Sequence, residues 1–232
     1  MDIATYQALA KDHLGGEFKR PELLVMAFTH RSYLNEHKAT AGEHNERLEF
    51  LGDAVLELVV TEYLYANYPD PEGVLTNWRS ALVRTESIGA AAEREGFAPL
   101  LRLSRGEKRA SSERARRQIL ANTYEAVVGA IYLDKGYAAA RKFIERSLLS
   151  TFDQILDSGS WLDPKSRLQE MAQSMDSATP DYRTLSEEGP DHDKTFVVGV
   201  YIDNQLRGQG NGASKQDAQV AAALEALKSY KK

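Results

Sequence analysis

The chain has 232 residues, of which 42% are hydrophobic and 27% charged, and its formal net charge is −5. This composition is typical of a soluble globular protein with one large or two ordinary domains. The absence of cysteine excludes disulfides and thiolate metal sites and is compatible with a reducing cytosol. The N-terminus lacks a basic segment followed by an apolar one, and the most apolar run, 54–60, is interrupted by Glu57. We therefore expect a cytoplasmic protein with neither a signal peptide nor a membrane span.

The first two thirds of the chain carry a helical pattern. Up to about Phe152 the apolar residues recur every three or four positions, which predicts helices throughout. Prolines and glycine predict breaks at 69–73 and 97–99. The stretch 102–117, which precedes a second apolar helix, contains seven Lys or Arg residues. Because the net charge argues against a nucleic-acid partner, this basic stretch is the place to look for a local exception, although a solvated charged loop is nearly as good an interpretation.

The pattern changes after a predicted short linker at 157–160. Asp163 and Pro164 predict a helix cap with proline at the first helical position. We then expect a helix at 165–173, strands near 182–185, 195–202 and 205–210, and a last helix at 214–228. The dipeptide Asp203-Asn204 predicts a tight hairpin between the second and third strands. The sequence thus predicts two domains, 1–157 and 162–232, the second with the order α-β-β-β-α.

The segment 45–57 places acidic side chains on one stripe of a helix. At 100° per residue, Glu46, Glu49, Asp53 and Glu57 fall within about 80° of one another, opposite the leucines and valines. A solvated acidic face would give this pattern. A magnesium site would also give it, because Mg²⁺ prefers oxygen ligands from a few carboxylates. The helix alone does not decide between the two.

Phe50 lies beside the acidic stripe on the same helical wheel. A solvated face would not place a phenyl ring there, so the ring needs a partner. A second copy of the chain is the most economical partner, and the sequence therefore predicts a homodimer.

The second apolar helix, from about Arg117 to Leu133, contributes Asn122 and Glu125 on one face. Small residues around them permit a close helix–helix approach. If this helix crosses the acidic one, Asn122 and Glu125 would join Glu49 and Asp53 in a cage with oxygen ligands only. A dimetal oxidase would instead need Glu-x-x-His pairs, and none of the five histidines has that spacing.

Three motifs resemble bacterial ribonuclease III: NERLEFLGDAVL at 45–56, the segment AFTHRSY at 27–33, and ILANTYEAVVGAIYLD at 119–134. The segment from Pro164 onward resembles the double-stranded RNA-binding domain of that family, so the resemblance covers nearly the whole chain. It implies an all-α N-terminal endonuclease domain followed by a small α+β (α-β-β-β-α) double-stranded RNA-binding domain.

The resemblance also implies roles for particular residues. It makes Glu49, Asp53, Asn122 and Glu125 the metal site, with Asp53 and Glu125 catalytic, Glu46 and Glu72 acidic residues of the cleft, and Phe50 a plug in the dimer interface. The family has an aspartate where this chain has Asn122. In the second domain it implies RNA contacts by Lys165, Gln169, Gln173, His192, Lys194, Ser214 and Lys215. That region has nine basic and eleven acidic residues, so its affinity for RNA is expected to be modest and its recognition to depend on the shape of the duplex.

The resulting prediction is a Mg²⁺-dependent endoribonuclease, with Mn²⁺ as a substitute cofactor. It would hydrolyse double-stranded RNA to 5′-phosphate and 3′-hydroxyl ends during processing of ribosomal, messenger and transfer RNA precursors. The alternative is a dimeric double-stranded RNA-binding protein with weak or no cleavage, because Asn122 weakens the metal cage. A helical-bundle redox enzyme containing iron or manganese is a third interpretation.

Overall fold

The structure is a computed structural model that describes residues 3–37, 42–110, 112–159, 161, 163–189 and 194–230. It consists of two compact units, 1–158 and 159–232. The first is helical and the second combines two helices with three strands, so the predicted fold class is confirmed. No helix in the described ranges combines the length and the apolar character needed to cross a membrane.

The first unit contains the helices α1 (Ile3–His13), α2 (Glu22–Ala27), α3 (Arg31–Glu36), α4 (Glu46–Asn67), α5 (Glu72–Val83), α6 (Thr85–Arg94), α7 (Arg105–Ala110), α8 (Glu113–Lys135), α9 (Tyr137–Ser147) and α10 (Phe152–Ser158). The prediction of a linker at 157–160 is wrong for residues 157 and 158, which belong to α10. Helix α10 continues through Ser158 because neither Asp157 nor Ser158 breaks a helix, whereas Gly159 has a φ of 60° and does.

Helix α8 is the central helix of the first unit, and its two ends are set by local chemistry. The hydroxyl of Ser112 accepts a hydrogen bond from the backbone N–H of Ala115 at 3.2 Å, which caps the N-terminus. Gly136 ends the helix with a φ of 83°. Between these ends, apolar side chains from Ile119 to Ile131 are buried, as expected for a helix surrounded by others.

Helices α4 and α8 touch through their backbones at two glycines. A Cβ atom added at Gly52 would lie 1.7 Å from the carbonyl oxygen of Glu125, and one added at Gly129 would lie 2.4 Å from the carbonyl oxygen of Leu48. Only glycine fits at such distances. This contact fixes the register of the two helices that carry the predicted metal-site residues.

The second unit contains α11 (Pro164–Asp176), β1 (Asp181–Glu188), β2 (Thr195–Ile202), β3 (Gln205–Gly212) and α12 (Lys215–Leu227). The strands form an antiparallel sheet in the order β1-β2-β3. The predicted cap is confirmed, since Asp163 accepts from the backbone N–H of Ser166 at 3.1 Å. The predicted hairpin is confirmed too: Asp203 and Asn204 have φ values of 49° and 59°, which the tight two-residue turn requires.

Candidate active site

The contact between α4 and α8 gathers the carboxylates that the sequence predicts. Burial, Asp53 and Glu49 together raise the pKa of Glu125 to about 8, with burial the largest cause. Glu125 lies on α8 and the other two acids on α4. The two helices therefore present their acidic residues to one another, which favours the metal-site interpretation of the stripe over the solvated acidic face.

Glu49 is the second member with a perturbed pKa. Burial is the main cause of its raised pKa, and the negative charges of Glu46 and Asp53 add to it. The side chain of Asn122 acts in the opposite direction, because it is a hydrogen-bond donor to the carboxylate and favours its charged form. Glu46, Glu49, Asp53, Asn122 and Glu125 thus form one cluster, which we call the acidic cluster.

Asn122 has a second partner that sequence analysis missed. The side-chain amide of Gln118 donates a hydrogen bond to Asn122 Oδ1 at 2.7 Å. Thr85, the first residue of α6, in turn donates to Gln118 Oε1 at 3.3 Å. The spacing of four residues between Gln118 and Asn122 on a helix was a signal for the first bond. No sequence signal pointed to Thr85.

The acidic cluster fits a hard divalent cation by its chemistry. Its donors are carboxylate and amide oxygens, the ligands that Mg²⁺ prefers. Burial first, and then the charges of Asp53 and Glu49, raise the pKa of Glu125, and a cation beside it would favour its ionised form. Within the described ranges, no group of three or more acidic, histidine or cysteine side chains converges closely enough to hold an ion as it stands.

The two other predicted acidic residues lie at different places. Glu46 is at the exposed edge of the cluster, with ion-pair distances of 3.8 Å to both Arg31 and His44. Glu72 begins α5 and accepts a hydrogen bond from the hydroxyl of Thr76 at 3.1 Å. Glu72 therefore lies on neither of the two helices that carry the acidic cluster.

Phe50 projects from α4 with 81% of its surface exposed. It borders a groove of about 620 Å³ that also contains Met26, Leu51 and Leu133. Leu58 and Tyr65, which lie eight and fifteen positions after Phe50, are exposed on the same face of α4. A single chain therefore presents both an unpaired phenyl ring and an adjacent partly apolar groove.

The predicted RNA-contact residues of the second unit lie on its surface. Lys165 Nζ donates to Gln219 Oε1 at 2.7 Å, while Lys194 and Lys215 lie 3.1 and 3.6 Å from the carboxylate oxygens of Glu187. The ion pairs of Lys194 and Lys215 with Glu187 contribute little to stability, so these two lysines could exchange them for contacts to phosphate. Gln169 and Gln173 are exposed on α11, and His192 lies outside the described residues.

Ser214 has a structural role in addition to its predicted contact. Its hydroxyl caps α12 by accepting a hydrogen bond from the backbone N–H of Asp217 at 3.1 Å. The carboxylate of Asp217 lies 2.8 Å from the same hydroxyl and places a negative charge at the helix N-terminus, where a phosphate would be attracted. Phosphate binding there would have to compete with that carboxylate.

A helical unit with clustered carboxylates, followed by an α-β-β-β-α unit, defines a class of nuclease with its own double-stranded RNA-binding domain. Sequence models of two families match these units: Ribonuclease-III-like at residues 20–152 and the double-stranded RNA binding motif at residues 164–230. The chain belongs to the ribonuclease III family, and it is an endoribonuclease.

Relatives and solved structures agree with this assignment. The chain is 44% identical over 223 residues to Ribonuclease 3 of Enterococcus faecalis, covering 94% of this chain and 95% of that protein. It is 42% identical over 219 residues to Ribonuclease 3 of Bdellovibrio bacteriovorus, covering 94% and 93%. The crystal structure of the nuclease domain of ribonuclease III from Campylobacter jejuni is similar with a TM-score of 0.52 and 33% identity, covering 62% of this chain and 95% of that one.

Proposed function

We propose that this protein is a Mg²⁺-dependent, homodimeric endoribonuclease that hydrolyses phosphodiester bonds in double-stranded RNA to 5′-phosphate and 3′-hydroxyl ends. The observation that carries the proposal is the close α4–α8 backbone contact, across which the charges of Asp53 and Glu49 act on the partly buried Glu125. Paired carboxylates held in a partly buried position favour a divalent cation over solvent. Mn²⁺ is the expected substitute cofactor.

The residues of the acidic cluster have different proposed roles. Glu49, Asp53 and Glu125 are the proposed carboxylate ligands, with Asp53 and Glu125 closest to the chemistry. The bound cation supplies an activated water and neutralises charge on the scissile phosphate. Before it binds, Glu125 holds a proton near neutral pH, since its pKa is about 8. Glu46 and Glu72 are assigned to the edge of the cleft.

Asn122 is the fourth proposed residue of the metal site, but one of its hydrogen bonds limits how it can bind a cation. Its oxygen accepts the Gln118 hydrogen bond, so direct ligation by that oxygen would require the bond to be released. A weaker contribution of Asn122 to cation binding is the premise of the alternative function, a dimeric double-stranded RNA-binding protein that cleaves weakly or not at all. Three carboxylates and the RNA phosphate still provide anionic oxygens, and we therefore prefer the enzyme.

Phe50 is the proposed anchor of the homodimer. Its exposed ring and the groove beside it would complement each other across a two-fold axis, as a self-complementary patch requires. The similar Campylobacter nuclease domain has a region involved in dimer formation. A dimer would place two acidic clusters on one duplex, so that both strands could be cut.

The second unit is the proposed duplex-binding module. Its assigned contacts are Lys165, Gln169, Gln173, His192, Lys194, Ser214 and Lys215, and the basic segment 102–117 would add backbone contacts beside α8. A-form RNA is recognised in this mode by the shape of its minor groove over about 16 base pairs. We assign the substrates to ribosomal, messenger and transfer RNA precursors and the site of action to the cytoplasm.

Incubation of the purified full chain with an end-labelled duplex tests the proposal directly. Cleavage should require Mg²⁺, disappear with a chelator, and spare a single strand of the same sequence. Products should be substrates for a 5′-phosphate-dependent exonuclease. Duplex binding without cleavage at any Mg²⁺ concentration would establish the binding-protein alternative. Tightly bound iron or manganese with no RNA affinity would instead indicate the redox enzyme.

A further inference from the structure

Three side chains outside the carboxylates form a directional series of hydrogen bonds that ends at the acidic cluster. Thr85 Oγ1 donates to Gln118 Oε1 at 3.3 Å. Gln118 Nε2 donates to Asn122 Oδ1 at 2.7 Å. The Asn122 side chain then acts as a donor to Glu49. The series joins three helices, α6, α8 and α4, and every donor faces toward the carboxylates.

The direction follows from the chemistry of carboxamides. An amide side chain accepts through its oxygen and donates through its nitrogen. Because Gln118 uses its nitrogen to bond the oxygen of Asn122, the NH₂ group of Asn122 is the end left for Glu49. An amide binds Mg²⁺ through oxygen, so this orientation makes Asn122 a donor to a ligand and not a ligand itself.

Thr85 lies one helical turn before a close contact between α6 and α8. Helix α6 packs tightly on α8, since a Cβ atom added at Gly89 would lie 2.9 Å from Arg117 Cγ and 3.1 Å from the Arg117 carbonyl oxygen. The start of α6 therefore has a fixed position relative to the residue that follows Arg117, which is Gln118. The hydrogen bond from Thr85 rests on this backbone contact.

We propose that Gln118, oriented by Thr85, is a positioning residue that fixes the amide of Asn122 as a hydrogen-bond donor to Glu49. The inference rests on the proposed metal-dependent cleavage. Glu49 is repelled by Glu46 and Asp53, and a neighbouring donor restrains it where a cation can use it. A restrained ligand loses less freedom on binding, so the arrangement increases metal affinity.

Mn²⁺ binding to the full-length protein, measured by the loss of the free-ion signal in electron paramagnetic resonance, tests the proposal without RNA. Gln118→Leu should weaken binding by about two- to tenfold, the range for one lost hydrogen bond. Thr85→Val should weaken it less. Gln154→Leu, the same change at an exposed position of α10, should have no effect. In an Asn122→Ala background, Gln118→Leu should have no further effect.

Cleavage measurements with the same variants separate the inference from the proposed function. Gln118→Leu should raise the Mg²⁺ concentration for half-maximal cleavage with little change in the rate at saturating Mg²⁺. Parental Mn²⁺ affinity in Gln118→Leu, or the same loss with and without Asn122, would overturn the positioning role. If Gln118→Leu does not fold, parental affinity in Thr85→Val would overturn it. A parent that neither binds Mn²⁺ nor cleaves RNA would remove the proposed function, and the inference with it.

Discussion

The two units use the same kind of backbone contact for different purposes. In the first, Gly52 brings α4 against the backbone of Glu125, and the acidic cluster lies beside that contact. In the second, a Cβ atom added at Gly210 would lie 2.2 Å from the backbone nitrogen of Ala222, so β3 and α12 are equally close. There the contact builds only a core, and the proposed RNA contacts lie elsewhere on the surface.

This difference indicates which substitutions should impair each of the two proposed activities. The proposed chemistry depends on carboxylates that two distant segments bring together, so it should be sensitive to small changes in side chain or helix spacing. The proposed duplex binding depends on contacts that are spread over the surface, each of small energy. Substitutions in the first unit should therefore reduce cleavage while duplex affinity persists.

The largest expected effect is that of Glu125→Gln on cleavage. The substitution keeps the size of the side chain and removes the proposed catalytic carboxylate. Cleavage at saturating duplex should fall by several orders of magnitude, whereas duplex affinity in chelator should be unchanged. Glu145→Gln, which breaks only a surface pair with Arg141, serves as the control. A parental rate in Glu125→Gln would contradict the proposed site.

The next effect concerns the dimer. Truncation of an aromatic anchor in an interface commonly costs about 2–4 kcal/mol of binding free energy, so Phe50→Ala should move sedimentation toward the monomer and reduce paired cleavage. Leu224→Ala truncates an exposed apolar side chain of the second unit and should leave the dimer intact. Equal dissociation constants for the parent and Phe50→Ala would remove Phe50 from the interface.

Gly52→Ala should destabilise the first unit. Its Cβ atom would clash with the Glu125 carbonyl oxygen, and overpacking of this kind costs about 1–3 kcal/mol in the free energy of unfolding. Gly73→Ala, in a helix with no heavy atom within 4 Å of the added Cβ, should be neutral or stabilising. Urea unfolding measures both. Similar stability of the two variants would mean that the α4–α8 contact is looser than the structure has it.

The local elements could be predicted from the sequence because their causes are local. The Asp163 cap, the Asp203-Asn204 turn and the bounds of β2 follow from short-range backbone chemistry, and all three are confirmed. The carboxylates of the acidic cluster were proposed from helical spacing together with family resemblance, because periodicity does not say which helices cross. Thr85 was missed, since 33 residues separate it from Gln118 in the chain.

The contribution of Glu125 to the stability of the metal-free protein should fall as the pH rises from about 4.5 to about 8. The pKa of Glu125 is raised from 4.5 to about 8 in the fold, so the folded chain holds a proton that the unfolded chain releases. Above the unfolded pKa, each increase in pH favours the unfolded state until the folded pKa is passed. Thermal unfolding in chelator at several pH values measures this. Glu125→Gln should flatten the dependence, and an unchanged slope would contradict the burial of this carboxyl group.

The smallest and most specific effect is expected for Asn122→Asp. The carboxylate keeps an oxygen for the Gln118 N–H, which lies 2.7 Å from the present amide oxygen, but it removes the donor to Glu49 and adds a negative charge beside it. Without a cation this repulsion lowers stability. With one, the added charge strengthens attraction for a divalent ion. The Mg²⁺ concentration for half-maximal cleavage should therefore fall severalfold, with little change in the maximal rate. A Mg²⁺ titration of cleavage, with unfolding in chelator alongside, measures both consequences.

No change, or a rise, in the Mg²⁺ concentration for half-maximal cleavage would mean that the donor to Glu49 matters more than the added charge. An inactive parent made active by Asn122→Asp would identify the natural chain as a duplex-binding protein.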